Sequence, residues 1–222
     1  MDKLKQIKQI LKRKKIHGIA LDIDETLSAT FRNWVERLLE EHNDEGLTTE
    51  EMMAKYRYFR DVPYWQNGPA LNKAIEMMEE DKFQENIPLL DNSNHMVEQI
   101  NKVIPIAAYI TARPEKVVPG TIKWLIKHGF PKAAIFSRPK ERTDGHRWKG
   151  EVLKYMYPHI LGIIDDDPKL PANMPKNYKG TVFVYNLPDF YTSKYKFKII
   201  PCGKWDDVYE RIKNTFNPES GS

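Results

Sequence analysis

A doubly wound α/β fold, with a parallel sheet covered by helices on both faces and a separate helical block, is predicted by three observations. Short apolar runs alternate with amphipathic segments of helical length over residues 89–216, the pattern of βα units in a parallel sheet. Two of these runs end in acids. Ile19-Ala20-Leu21 leads into Asp22-Ile23-Asp24, and Leu161-Gly162-Ile163-Ile164 leads into Asp165-Asp166-Asp167. Buried strands rarely carry unpaired charge, and ligands of open α/β sheets bind at the carboxyl ends of strands. Finally, residues 28–88 show helical spacing and no strand signal.

Taken in order, Leu4, Ile7, Ile10 and Leu11 predict an amphipathic N-terminal helix, followed by a strand over His17–Asp22. Phe31, Trp34, Val35, Leu38, Leu39 and His42 mark one helix face, with Trp34 expected in a core. Thr48 with Glu51 forms a capping box for a helix over 49–59. Breakers at Asp61-Val62-Pro63 and Asn67-Gly68-Pro69 precede a helix over 70–82. A helix over 92–102 leads to a strand over Ile104–Ile110, and Pro114 is expected to open the next helix, which ends at Gly129. Ala133–Phe136, Ile160–Ile164 and Thr181–Tyr185 read as strands; Trp148–Tyr157 and Lys204–Phe216 read as helices. The division expected is a core of residues 1–27 and 89–217, an inserted helical domain of 28–88, and a disordered tail of 218–222.

The chain has 222 residues, enough for one core domain and an insertion. With a single cysteine, Cys202, it can form no internal disulfide. No apolar run is long enough for a signal peptide or membrane span, so a cytoplasmic protein without membrane contact is expected. The net charge is +4, yet residues 1–15 alone hold seven basic residues and one acid, a local +6. The favoured reading is a solvated lysine face on a docked helix; contact with nucleic acid or another acidic partner is the alternative.

Four features fall in order at predicted strand or helix ends: Asp22-x-Asp24-x-Thr26, Thr111-Ala112-Arg113, Lys149, and Asp165-Asp166. A carboxylate such as Asp22 can attack phosphorus to form an aspartyl-phosphate. The charge that such acids and a phosphate share calls for a divalent cation, and Mg²⁺ takes carboxylate oxygens, waters and phosphate. Asp22, the Asp24 carbonyl and Asp165, with Asp166 directly or through water, can supply the oxygens. The Asp24 side chain is then free to protonate a leaving alcohol and activate water. Thr111 and Lys149 are suited to holding phosphate.

This set resembles the motifs of the haloacid dehalogenase superfamily of phosphatases: Asp-x-Asp-x-Thr, a Ser or Thr after the second strand, a Lys, and an acidic pair. Glu25 stands where most members have Gly. Lys149 is preferred over Lys140 as the third motif because it opens the helix leading to the Asp165 strand. The resemblance implies a Mg²⁺-dependent phosphatase, with Asp22 as nucleophile, Asp24 as acid and base, and Thr26, Thr111 and Lys149 on the substrate; Arg113 is expected either to contact substrate beyond the phosphate or to pair with an acid near the helix start. Asp24 argues against the dehalogenase branch, which lacks that second acid. A non-catalytic phosphate- or metal-binding module on the same fold is the alternative of another class; an inactive relative would be expected to lose Asp22 or Asp24.

Residues 28–88 resemble the helical cap of the deoxyribonucleotidase-like branch, which implies a small substrate such as a nucleoside monophosphate. Tyr64-Trp65 in its Pro/Gly-bounded loop is the better-placed stacking surface, ahead of Trp34, although packing within the cap is the favoured role there; Arg57 and Arg60 are expected in solvent. Asp167 is expected to cap the turn at Pro168. Ser137–Arg142, with Arg138 and Arg142 at the site mouth, is loosely similar to the phosphatase part of polynucleotide kinase-phosphatases, so removal of a nucleic-acid end phosphate is the runner-up. The sequence leaves oligomeric state open.

Overall fold

In the computed structural model, which describes residues 2–217, six parallel strands form one sheet. They are β1 (Gly18–Leu21), β2 (Ile106–Pro114), β3 (Ala134–Arg138), β4 (Ile160–Asp165), β5 (Thr181–Val184) and β6 (Lys198–Pro201), in the order β3-β2-β1-β4-β5-β6. Strand β1 lies at the centre, with Ala20 opposite Ala108 on one side and Ile163 on the other. The strand sequences are apolar almost throughout because both faces are covered. Ile19, Leu21, Tyr109, Ile164 and Phe183 face one core, with α6 (Ser93–Val103), α7 (Val118–Lys127) and α10 (Trp205–Phe216). Their neighbours Ala20, Ala108, Ile110, Ile163 and Val182 face the other, with α1 (Asp2–Arg13), α8 (Gly145–Met156) and α9 (Lys169–Asn173). Gly162 lets β4 and β5 close up: a Cβ there would lie 2.4 Å from the Thr181 carbonyl oxygen.

Between β1 and α6 the chain forms a helical block: α2 (Thr30–Leu38), α3 (Thr49–Lys55), α4 (Gly68–Met78) and α5 (Asp81–Asn86), with 3-10 turns at Phe59–Asp61 and Pro63–Trp65. It has its own core, built on Phe31, Val35, Leu38, Met52, Val62 and Trp65. The Thr48–Glu51 capping box is present at α3. The two chain crossings into the block run side by side, joined by a bridge between Ser28 and Leu89 and by the Ala29 N–H donating to the Pro88 carbonyl.

Several boundaries differ from expectation. Helix α3 stops at Lys55 because Tyr56 is extended (φ −120°, ψ 138°). The helix expected over 70–82 is two helices, separated by extended Glu80. Pro114 does not open a helix; it continues β2 opposite Arg138, and α7 starts after a 3-10 turn with Pro119 in its first turn. A proline disfavours helical backbone in the residue before it, which keeps Arg113 in the strand. Strand β6 and helix α9 were not expected. The brevity of β6, with Lys198 and Pro201 at its ends, suits an edge strand. The tail 218–222 lies outside the described residues.

Candidate active site

The C-terminal ends of β1, β2 and β4 meet below the helical block, and the acids predicted at those ends converge. Carboxylate oxygens of Asp22, Asp165 and Asp166 all lie within 4.8 Å of one another, and all three residues are buried. Lys149 reaches them from the second turn of α8, not from its start, with Nζ 2.7 Å from Asp22 Oδ2 and 2.8 Å from Asp165 Oδ2. It is 2% exposed, whereas Lys140 lies on the surface. Burial opposes the Lys149 charge, but Asp165 and Asp22 outweigh it and raise its pKa.

The charges do not balance. Three carboxylates share one ammonium, so with all three ionised the buried site would carry an excess of two negative charges. Burial pushes Asp22 up to about 8, with Lys149 pulling down and Asp165 and Asp24 pushing up. Burial, then Asp165 and Asp22, raise Asp166 well above the carboxylate range. Asp22 Oδ1 is buried without a hydrogen-bond partner among the described residues. An orphaned oxygen in an under-neutralised oxygen cluster fits a hard divalent cation such as Mg²⁺.

The neighbouring acids each have their own cation. Arg113 donates to Asp24 from Nη2 at 2.7 Å and from Nε at 3.1 Å, and Thr30 Oγ1 donates to the same carboxylate at 2.6 Å. Burial raises the Asp24 pKa, yet Arg113 and Thr30 overcome it and hold the group below its usual range. Arg113 is 3% exposed and also reaches Ser28 and Thr121, so its guanidinium follows the second of its two expected roles, pairing with an acid. Asp167 accepts two bonds from Arg60, at 2.6 and 3.0 Å, lies 3.3 Å from His146 Nε2, and also caps the turn at the Lys169 N–H. Arg60 is therefore not a solvent residue. Arg57 donates to the Asn186 carbonyl and to Tyr58 Oη, and Tyr58 Oη donates to the Asp166 carbonyl. Segment 57–60 thus straps the helical block to the acidic turn.

Two threonines differ from expectation. Thr26 is fully buried, and its hydroxyl bridges the Asp166 N–H and Oδ1 at 3.2 and 3.3 Å, so it braces an acid. Thr111 lies within β2, not at a helix N-terminus, and its buried hydroxyl accepts the Arg113 N–H. Glu25 adopts φ +56°, the left-handed region where glycine is at ease. Its carboxylate accepts the Phe31 N–H at 2.6 Å, capping the first turn of α2 from outside the helix. Burial lifts its pKa to about 7, with the Phe31 N–H opposing and Asp24 adding.

Above the acids lies a cavity of about 330 Å³ whose floor includes Asp22, Asp166 and Lys149 and whose wall includes Phe31, Trp34, Phe59, Met78 and Phe83. Trp65 takes the packing role favoured for it, whereas Trp34, expected in a core, does not. Trp65 is 0% exposed in the core of the helical block, stacked on Phe59 at 5.6 Å, whereas Trp34 lines the cavity edge-on to Phe59 at 4.8 Å. Arg138 and Arg142 lie beyond this cavity, Arg142 paired with Asp144 and Glu151. Arg60, His146 and Phe83 were not anticipated; the run of three acids at 165–167 was the one signal that a further cation was needed.

No family model matches the chain, and no curated protein matches it significantly. Solved structures do match. A haloacid dehalogenase-like family hydrolase from Streptococcus pneumoniae superposes with a TM-score of 0.57 at 14% identity, over 89% of this chain and 99% of that one. L-2-haloacid dehalogenase from Xanthobacter autotrophicus, with chloropropionic acid covalently bound, gives 0.55 at 9% identity over 89% and 98%. The HAD-hydrolase YfnB from Bacillus subtilis, bound to magnesium, gives 0.52 at 17% identity over 89% and 99%. The fold is that of the haloacid dehalogenase-like hydrolases. At these identities the likeness is one of fold. Within this fold, the acidic cluster occupies the strand ends at which open α/β sheets hold their ligands.

Proposed function

We propose that this chain is a Mg²⁺-dependent phosphatase that hydrolyses a small phosphate monoester through an aspartyl-phosphate. The observation that carries the reading is the excess of two negative charges at Asp22, Asp165 and Asp166, beside a second carboxylate, Asp24, that has its own cation. Asp22, Asp165, Asp166 and the Asp24 carbonyl would hold the ion, which would neutralise the acids and draw phosphate oxygens against them.

An Asp22 oxygen attacks phosphorus and the bond to the leaving alcohol breaks, the alcohol taking a proton from Asp24. Water then gives a proton to Asp24 as its oxygen attacks the phosphoryl group, releasing phosphate and restoring Asp22. Arg113 and Thr30 favour the Asp24 carboxylate, the form that accepts the proton from water in the second step, and that same proton is the one Asp24 gives to the leaving alcohol of the next turnover. Lys149, fixed as an ammonium, offers positive charge where negative charge accumulates. The second acid separates this reading from a dehalogenase, and the aromatic wall of Trp34 and Phe59 supports a flat leaving group such as a nucleoside.

Phosphate release from nucleoside monophosphates, sugar phosphates and a generic aryl phosphate, with Mg²⁺ and with EDTA, tests this directly. Release lost in EDTA and in Asp22→Asn is the expected result. Activity that survives in Asp22→Asn overturns the mechanism, and equal rates on sugar and nucleoside phosphates overturn the aromatic recognition.

A further inference from the structure

We propose that one face of the molecule, formed by α1 and the crossover between β5 and β6, binds a single-stranded nucleic acid through its phosphate backbone. The inference begins with how charge is distributed. Residues 2–17 and 174–198 together contain twelve Lys and Arg against two acids, a local +10; with the whole chain at +4, the remainder is −6. A protein body that is acidic elsewhere has placed its positive charge on two segments far apart in sequence.

The fold brings those segments to one side. Leu4, Ile7 and Leu11 of α1 pack into the same core as Tyr178, Leu187, Phe190 and Phe197. Lys8 donates to the Tyr155 carbonyl and lies over its ring, while Tyr178 meets Phe197 edge-on at 6.0 Å. The crossover starts at Asn186, whose carbonyl is held by Arg57, and returns over this face to begin β6. The basic face therefore extends from beside the strap, at the carboxyl end of β5, to the amino end of β6.

The cations on it lack carboxylate partners, although Lys8 and Lys194 lie over tyrosine rings. Among the described residues, none of the twelve lies within ion-pairing distance of a carboxylate. Surface lysines elsewhere are commonly paired, as Lys55 with Glu45, Lys73 with Glu41, Lys116 with Glu79 and Lys123 with Glu85. Unpaired lysines repel one another, and a polyanion relieves that cost while releasing its own counterions.

Two features select a nucleic-acid strand over an anionic membrane. The apolar side of α1 is docked in the core through Leu4, Ile7 and Leu11, leaving Ile10, 41% exposed, as the large apolar side chain open to solvent, too little to insert among acyl chains. Tyr191, 68% exposed between Asp189 and Lys194, and Tyr155, 40% exposed beside Lys8, offer rings for bases to stack on. This inference does not rest on the phosphatase reading.

The test is fluorescence anisotropy with a labelled single-stranded oligonucleotide of about 16 nucleotides. Its ends carry hydroxyls and the buffer contains EDTA, so the catalytic pocket contributes nothing. Binding is expected to fall steeply with salt, with a log–log slope of about −3 for four phosphates contacted. Lys5→Glu, Lys12→Glu, Arg13→Glu and Lys196→Glu combined should weaken it at least about tenfold, and Tyr191→Ala about fivefold or more. Lys73→Glu with Lys116→Glu, on the paired side, should leave it unchanged. Circular dichroism of each variant checks that the fold is kept. Absence of binding at about 50 mM salt, equal loss in the control variant, or tighter binding to phosphatidylserine vesicles than to the strand each overturns the proposal.

Discussion

Each acid at this site depends on where its cation comes from, and that is decided residue by residue. Lys149 is the one ammonium for three carboxylates, so its removal leaves buried charge with no counter-ion. Lys149→Ala is expected to cost about 3–5 kcal/mol of stability in urea melts without metal, and to abolish turnover. A loss below about 1 kcal/mol would show that the acids are protonated or hydrated in that variant. The two tryptophans make a paired prediction. Trp65→Ala empties a fully buried site and should destabilise by about 3–5 kcal/mol. Trp34→Ala, at the cavity wall, should raise KM with a smaller change in Tm. The opposite pattern would return Trp34 to the core. The sequence could place the acids, because charge at the end of an apolar strand announces itself. It could not pair them: Arg113 reaches Asp24 across 89 positions and Arg60 reaches Asp167 across 107, distances over which no local pattern speaks. Trp34 was misplaced for a related reason. Helical spacing identifies an apolar stripe, but one edge of the stripe on α2 faces a cavity instead of a core.

Helices and strands were legible in proportion to their length and to the strength of their end signals. The central strands, α6, α8 and α10 stand near their expected places because long apolar or amphipathic runs have few other solutions. The misses are short elements, α5, α9 and β6, and the junction at Pro114, where pairing with Arg138 outweighs the local preference for a helix start. No periodicity signals the strap at 57–60, whose meaning lies in contacts to a turn that comes 106 or more residues later. It connects the helical block to the acidic turn at its Asp166–Asp167 end, while the paired crossings at Ser28 and Leu89 connect it at the other. Arg60→Ala should therefore loosen the block without unfolding the sheet. Limited proteolysis within residues 56–67 is expected to accelerate and KM to rise severalfold, while the stability of the sheet core, read by hydrogen exchange, stays close to that of the native chain. Arg60→Lys should restore little, because a single ammonium cannot reproduce the two-point bond to Asp167. Unchanged proteolysis in Arg60→Ala would mean that the block is held by its packing alone.

At the level of the whole molecule, the under-neutralised cluster ties stability to metal and to pH with a definite sign. Asp22 titrates at 3.8 when unperturbed and is pushed up to about 8 in the folded chain, and Asp166 is raised too. A carboxylate whose folded pKa is raised binds more protons in the native state than in the unfolded one throughout the interval between the two values. Stability without metal must then fall as pH rises through that interval. A divalent cation replaces those protons, so its stabilising effect grows over the same range. With Mg²⁺ about a hundredfold above its Kd, the gain is about 2.7 kcal/mol, or roughly 5–10 °C for a chain of this length. Thermal melts with Mg²⁺ and with EDTA, at about pH 5 and about pH 8, measure both trends. The EDTA curve should drop toward the higher pH, the Mg²⁺ curve should drop less, and the gap between them should widen. In Asp22→Asn, which removes one of the titrating carboxylates, the EDTA curve should flatten. A gap of equal width at both pH values, or a steeper EDTA curve in Asp22→Asn, would show that the three acids are not the groups that take up the ion.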